Sequence, residues 1–268
     1  SEREEEKMFS SEMRGELADI CSEAKFEEPM SAHSTMGIGG PASAFVEPDG
    51  MEQLKSILEW CRARNKEWYY IGWGSNVLVR DKGLDGVVIS MKRGFKDIKT
   101  AYERDGFEYL LVGGGVSTMQ LLNLCRDKGL SGIEYLAGVP GTVGGNAMTN
   151  AGSADLAIGD AVEEMSVIDR HGKETTYRKS ALKFSYRKLN LPRSSGITKV
   201  LLKLRKSDPP AVIEAMDAYM ERRKKTQPQG VLTLGSTFKN PPKLKAGVLI
   251  DEAGLRGVRV GNARVSNV

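Results

Sequence analysis

The apolar positions of this chain change period several times, and each change marks an element. Over 51–65, Leu54, Ile57, Leu58 and Cys61 recur at helical spacing, so the pattern predicts an amphipathic helix with Asp49 as its candidate cap. Glu67-Trp68-Tyr69-Tyr70-Ile71 follows, a strand by its aromatic content. Val77-Leu78-Val79 and Val87-Val88-Ile89 are β-branched runs separated by Asp81-Lys82-Gly83 and predict two more strands. After a strand at 109–112, Ser117 with Gln120 forms a capping box for a helix carrying Leu121, Leu122 and Cys125, closed at Gly129. Segments 163–169 and 200–204 read as later strands, with His171-Gly172 as a turn of no chemical role. From Asp208, a cap candidate, a helix begins that tolerates Pro209 in its first turn and buries a predicted stripe of Ile213, Met216 and Met220. Its end, Glu221-Arg222-Arg223-Lys224-Lys225, reads as a solvated face complementing the helix dipole. The other reading of that run is a cationic rim facing a phosphorylated substrate.

Between these elements lie two glycine-rich stretches. The first is Ile71-Gly72-Trp73-Gly74-Ser75-Asn76; the second is Gly138-Val139-Pro140-Gly141-Thr142-Val143-Gly144-Gly145-Asn146, continuing to Asn150-Ala151-Gly152. Glycine admits positive φ and lets a ligand approach without a Cβ in the way. Successive N–H groups in such turns converge into an anion-binding nest. Gly, Ser, Thr and Asn supply donors without negative charge, which suits a pyrophosphate. Either stretch alone is compatible with a tight hairpin turn; two in one chain favour a bound dinucleotide. A Rossmann fingerprint needs its glycine turn to open a helix, and the first stretch is expected to open a strand. Gly113-Gly114-Gly115 does precede a helix but lacks the third glycine, so it reads as a strand-to-helix turn.

Composition narrows the class. The 268 residues are 40% hydrophobic and 28% charged, as in a globular protein of two or three compact units. No apolar run is long enough to span a bilayer, and the charged opening 1–7 has no signal-peptide pattern, so no membrane partner is expected. Cys21, Cys61 and Cys125 are odd in number and scattered, which fits small buried hydrophobes in a reducing cytoplasm. With His33 and His171 the only histidines, a zinc site or a Ser-His-Asp triad is poorly supplied, and no metal is expected. The net charge of +4 is too mild and too evenly spread for nucleic acid but suits an anionic small substrate. No feature sets the number of subunits.

Taken in order, the motifs resemble the bacterial UDP-N-acetylenolpyruvoylglucosamine reductases of peptidoglycan synthesis. The resemblance starts at Ser34-Thr35-Met36-Gly37-Ile38-Gly39-Gly40-Pro41-Ala42 and runs through Gly72-Trp73-Gly74-Ser75-Asn76-Val77-Leu78-Val79. It continues with 137–145, Asn150-Ala151-Gly152, Phe184-Ser185-Tyr186-Arg187 and Gln227-Pro228. Gly235-Ser236-Thr237-Phe238-Lys239-Asn240-Pro241 and the segment 246–257 complete it. No single piece is decisive; the ordered set is specific.

The resemblance implies an α+β protein. A two-subdomain FAD-binding domain of the vanillyl-alcohol-oxidase/PCMH type would be followed by a smaller α+β substrate-binding domain. The expected partition is an N-terminal helical extension over 1–33, the FAD domain over 34–206 (subdomains 34–92 and 93–206) and the substrate domain over 207–268. The implied cofactor is noncovalent FAD, reduced by NADPH as co-substrate. Reduced flavin would deliver hydride from N5 to the enolpyruvyl β carbon of a UDP-sugar ether, giving UDP-N-acetylmuramate. By motif position, Arg187 would hold the substrate carboxylate, Ser236 would donate the proton, and Lys239 and Asn240 would bind substrate. Gly72, Trp73, Gly74, Ser75, Asn76, Gly138, Pro140, Gly141, Thr142, Val143, Gly144, Gly145 and Gly152 would hold flavin.

The chain departs from the family pattern in places. Ser153-Ala154-Asp155 stands where a tyrosine-glycine pair often follows Asn-Ala-Gly, and Asn146 replaces a small apolar residue. The family continues past the position of Val268 with a glutamate regarded as its third catalytic residue, and Glu252 lies in a different motif. The substrate unit is therefore expected to be incomplete at its C-terminus, ending at an unpaired edge over 263–268. On that expectation the chain binds flavin but is crippled as a catalyst. The alternative functions are an FAD-dependent oxidase of the same fold and a catalytically impaired nucleotide-binding fragment.

Overall fold

A computed structural model describes residues 9–153 and 156–268. The charged opening 1–7 and the departure at Ala154-Asp155 lie outside them. The first unit begins with α1 (Ser11–Ile20), whose N-terminus Ser10 caps by accepting from the Met13 N–H at 3.2 Å. It continues with β1 (Lys25–Pro29), β2 (Pro41–Val46), α2 (Met51–Ala63), β3 (Trp68–Ile71) and β4 (Leu84–Ser90). The segment expected as a helical extension thus also carries a strand. The sheet order is β1-β2-β4-β3, with β1 antiparallel to β2 and both β2 and β3 parallel to β4. Helices α1 and α2 cover one face, packing Leu17, Leu54 and Ile57 on Val87 and Ile89. The other face buries Phe45, Ile71 and Val88. A strand covered on both faces reads as a continuous apolar run, which is what 87–89 is.

Two sequence expectations change here. Gly50, not Asp49, stands at the α2 N-cap, and the Asp49 N–H donates to Gln53 Oε1 at 2.8 Å. Val77-Leu78-Val79 forms no strand: Leu78 is 62% exposed while Val79 is buried. The neighbouring β4 is already paired on both edges, by β2 and β3, and offers no ladder to these residues.

The second unit opens with the hairpin β5 (Ile98–Arg104) and β6 (Phe107–Gly113), then α3 (Thr118–Lys128) and β7 (Leu130–Ser131). The capping box of Ser117 and Gln120 and the left-handed Gly129 bound α3 as expected. Next come α4 (Val143–Met148), β8 (Gly152–Ser153), β9 (Leu156–Ala157), α5 (Ile158–Ala161), β10 (Val162–Ile168) and β11 (Glu174–Arg178). His171-Gly172 turns between the last two. The small hairpin β12 (Phe184–Ser185) and β13 (Lys188–Leu189) precedes the long β14 (Gly196–Lys206) and α6 (Pro209–Thr226). An antiparallel sheet of order β11-β10-β14-β6-β5 forms the floor.

Helix α6 packs on this unit, against α3 and the turn at 134–136. Its inward stripe is Val212, Met216 and Tyr219, not the expected Ile213 and Met220; Ile213 is 41% exposed. Of the expected stripe Met216 holds, while Val212 and Tyr219 pack on the core in place of Ile213 and Met220, and Met220 lies over Gly138. Asp208 stands at the N-cap without a side-chain capping bond.

The remainder holds α7 (Ala246–Glu252) and the hairpin β15 (Arg259–Val260) with β16 (Ala263–Arg264). Of the run 263–268 expected to be an unpaired edge, Ala263 and Arg264 are strand-paired, with Val260 and Arg259. From 227 onward no residue is fully buried. This part is stitched to the rest by Thr35 Oγ1 donating to Thr233 O at 2.8 Å and the Asn240 N–H donating to Tyr186 Oη at 3.3 Å. No helix among the described residues is long and apolar enough to cross a membrane. The three cysteines are unpaired and buried, and burial pushes the Cys61 and Cys125 thiols up to about 12.

Candidate functional site

A cleft opens where the two sheets meet. Strand β3 carries Tyr70 and Ile71 to one wall and delivers the chain into the 72–76 loop. The facing wall is Gly114, the 141–145 loop and the start of β14 at Gly196-Ile197. Of the twenty lining residues seven are glycine, and none carries an ionised side chain. An anion bound here must therefore be held by neutral donors.

Close approach explains several of the glycines. A Cβ on Gly72 would lie 2.7 Å from Thr142 Oγ1, so the two glycine loops touch. A Cβ on Gly196 would lie 2.6 Å from the Tyr70 ring, which closes the seam beneath them. Gly74 has φ of 65°, and a Cβ there would meet His33 O at 1.9 Å. Ser75 Oγ donates to Pro140 O at 3.1 Å, a second bond across the seam. His33 itself is engaged elsewhere, its ring stacked on Phe45 at 3.9 Å and bonded to Glu28 Oε1 at 2.8 Å.

Main-chain donors divide sharply. Among the described residues, the N–H groups of Trp73, Gly74, Ser75, Asn76 and Val77 have no acceptor, and neither do those of Gly141 and Thr142. By contrast the α4 N-terminus is spent internally. Val143 N–H donates to Val116 O at 2.8 Å and Gly144 N–H to Gly114 O at 2.9 Å. Gly145 N–H donates to Thr142 Oγ1 at 3.1 Å. Residues with unpaired N–H groups from both loops thus line one cleft, an arrangement suited to phosphate oxygens.

The predicted flavin residues fall into two groups. Gly72, Trp73, Gly74, Ser75, Asn76, Gly141, Thr142, Gly144 and Gly145 line the cleft. Gly138, Pro140, Val143 and Gly152 do not. Gly138 makes room for α6, since a Cβ there would meet Met220 Sδ at 2.7 Å. Val143 is core, and Gly152 is pressed against Leu156 O of its own hairpin. Tyr70, Gly114, Asn146 and Gly196 line the cleft without having been singled out as lining residues. Gly114 carried a signal as part of a glycine triplet, Tyr70 as part of a predicted strand and Asn146 as a departure from the family pattern; Gly196 carried none. A separate cavity of about 590 Å³ lies at the seam between Trp68, Asp169 and Arg193 and contains none of the predicted residues.

A second constellation gathers on the β12–β13 turn. Arg187 is exposed there with φ of 59°, in the left-handed region where a non-glycine residue is strained. Arg223, from α6, donates Nη2 to Tyr135 O at 3.3 Å and lies over Gly138. Burial and the charges of Arg187 and Arg222 press the Arg223 pKa down, so three guanidiniums influence one another here. The bond from Asn240 to Tyr186 brings the 235–241 motif beside this turn. Ser236 and Lys239 are exposed; Asn240 Oδ1 is committed to the Ala246 N–H at 3.0 Å. Arg223 carries no individual signal in the sequence, because it sits inside a charge run. No cluster of His, Cys, Asp or Glu among the described residues could hold a metal ion.

A family model described as FAD binding domain matches residues 42–177. A second, described as UDP-N-acetylenolpyruvoylglucosamine reductase, C-terminal domain, matches 227–268. The UDP-N-acetylenolpyruvoylglucosamine reductase of Desulfosudis oleivorans is 40% identical over 90% of this chain and 80% of that protein. The chain belongs to the UDP-N-acetylenolpyruvoylglucosamine reductase family. A further reductase of the family, from Geobacter sulfurreducens, is 39% identical over 94% of this chain and 82% of its own length. The solved reductase from Thermus caldophilus superposes with a TM-score of 0.77 at 35% identity, covering 91% of this chain and 84% of that one. The fold is the α+β flavoprotein fold of the vanillyl-alcohol-oxidase/PCMH type. Solved p-cresol methylhydroxylase shares it at a TM-score of 0.53 and 15% identity, over 73% of this chain and 43% of that one. At that identity the likeness is one of fold alone, and the reductase family relationship stands above the oxidase alternative.

Proposed function

We propose that this chain reduces UDP-N-acetylglucosamine enolpyruvate to UDP-N-acetylmuramate through bound FAD, with NADPH as the electron donor, in peptidoglycan precursor synthesis. The observation that carries the reading is the uncharged glycine cleft with unpaired N–H groups from two loops, found in a member of the reductase family. The residues fit a flavin dinucleotide: donors await acceptors, and the glycines leave the space a Cβ would fill. FAD, when bound, supplies the hydride.

The chain's own groups do the rest. The N–H groups of 73–77 and 141–142 hold the pyrophosphate, which has no cation to pair with in this cleft. Arg187 grips the enolpyruvyl carboxylate, because a guanidinium holds a carboxylate bidentately and keeps its charge. As hydride reaches the β carbon, charge moves toward the carboxylate, and Ser236 delivers the proton that completes saturation at the α carbon. Arg223 adds positive potential behind Arg187 for a phosphorylated sugar. Lys239 and the free Nδ2 of Asn240 bind the UDP-sugar from the facing motif. The FAD domain spans 34–206, with the substrate domain after it, and the unpaired cysteines suit a cytoplasmic setting.

Anaerobic rapid mixing tests the whole reading. NADPH should bleach the yellow protein, and the enolpyruvyl substrate should restore the colour in the absence of oxygen. A flavin that NADPH leaves oxidised, or that only oxygen reoxidises, would return the oxidase alternative.

A further inference from the structure

Asn146 is an unusual residue for the inside of a short helix. It lies within the six-residue α4 yet is only 5% exposed, and it lines the cleft. Asparagine is a poor helix former, and a buried amide costs free energy unless it is hydrogen-bonded. One half of this amide is satisfied: Nδ2 donates to Thr118 Oγ1 at 2.7 Å. Thr118 Oγ1 in turn donates to Gly141 O at 3.0 Å.

This relay fixes which way the amide points. A hydroxyl has one proton, and that of Thr118 is spent on Gly141 O, so Oγ1 can only accept from Asn146. Rotating the amide by half a turn would break one of the two bonds. Nδ2 is therefore held toward Thr118, and Oδ1 is left beside Gly141, where a Cβ would come within 2.9 Å of it. No donor among the described residues reaches Oδ1. The cleft wall thus carries one oriented acceptor next to a set of unpaired donors.

Resting on the flavin reading above, we infer that Asn146 is a positioning residue that reads the ring and ribityl half of the cofactor. A carbonyl oxygen repels phosphate oxygens, so it does not serve the pyrophosphate. It accepts instead from a polar hydrogen of the flavin, either the ring imide N–H or a ribityl hydroxyl. The donors of 73–77 and 141–142 take the acidic end, and Asn146 sets the direction in which the dinucleotide lies. The Thr118 relay also ties that acceptor to the Gly141 carbonyl, so the loop and the amide are ordered together.

Deflavinated protein titrated with FAD, 3-methyl-FAD and 2′-deoxyribityl FAD tests this. The parent should bind FAD about tenfold more tightly than one of the two analogues, about 1.4 kcal/mol. Which analogue suffers identifies the hydrogen that Asn146 accepts. Asn146→Ala should bind FAD about tenfold more weakly and lose that discrimination, while Asn146→Gln should recover part of it. A uniform loss across all three flavins with a lowered apoprotein Tm would mean a packing role and overturn the inference. So would parental discrimination in Asn146→Ala, or none in the parent, a test that survives even if the variant fails to fold. Failure of the parent to bind FAD at all would instead overturn the flavin reading itself.

Discussion

At the residue scale, two glycines of the cleft, Gly74 and Gly141, hold backbone conformations that side chains resist. Gly74 is the clearest case, with φ of 65° and His33 O where a Cβ would go. Gly74→Ala must move the loop and lose the Thr35 N–H bond to Gly74 O, now 3.3 Å. Flavin affinity should fall by about tenfold or more, read from the flavin retained on desalting. Gly106→Ala is the control, since φ is 78° there but nothing lies within 4 Å of its Cβ. It should cost roughly 1 kcal/mol of stability and leave flavin affinity unchanged. Arg187 reverses the argument, because a side chain is kept despite φ of 59°. Arg187→Gly should leave stability within about 1 kcal/mol of the parent while turnover drops on the order of 100-fold. Parental turnover in that variant would remove Arg187 from the site. Ser236→Ala should spare reduction by NADPH and slow reoxidation by substrate on the order of 100-fold in rapid mixing.

At the element scale, Glu108 on β6 joins three elements. Its side chain is 4% exposed and is bonded by Thr100 Oγ1 of β5 at 2.6 Å and by the Lys128 ammonium of α3. Burial pushes its carboxyl up, but the Lys128 and Thr100 bonds outweigh it, so the pKa is lowered. A depressed carboxylate contributes stability above its unfolded value, about 4.3, and that contribution is lost as pH falls through the folded value. Lys128→Met should therefore be less stable by about 1–2 kcal/mol at pH 7, toward the low end because the lysine is 38% exposed. The gap in urea midpoint should close as Glu108 protonates in acid. A gap that persisted unchanged at pH 3 would assign the loss to packing of the lysine stem. The same helix begins at Ser117, which is bridged to Thr142, so its capping box also anchors the cofactor loop.

At the scale of the whole molecule, stability is unevenly spread. The two sheet units own the hydrophobic clusters, whereas residues from 227 onward contribute no fully buried side chain, and Leu232 is 70% exposed. Few buried apolar contacts mean a low free energy of local opening. Brief trypsin treatment of the 268-residue chain should cut first at Lys239, Lys243 or Lys245. Flavin absorbance should stay with the remaining body while reoxidation by the enolpyruvyl substrate is lost. First cleavage within the sheets would contradict this order of stability.

Local signals carried much of this protein. Period read directly as α2, α3 and β4, and the caps of α3 with it, because amphipathicity and such capping boxes are set by neighbours in the chain. The two glycine loops were legible because backbone freedom is a property of the residue itself, and the ordered motifs identified the family. What needed the tertiary structure was every question of partners. Residues 77–79 have strand-forming side chains but no free edge of β4 to join, and α6 turned a different stripe inward because its neighbour decides its buried face. Nothing local marks Asn146 as an oriented acceptor or Gly138 as a seat for α6. Those roles arise from groups 28 and more residues away in sequence, Thr118 in the first case and Met220 in the second, brought within contact only when the sheets and helices pack.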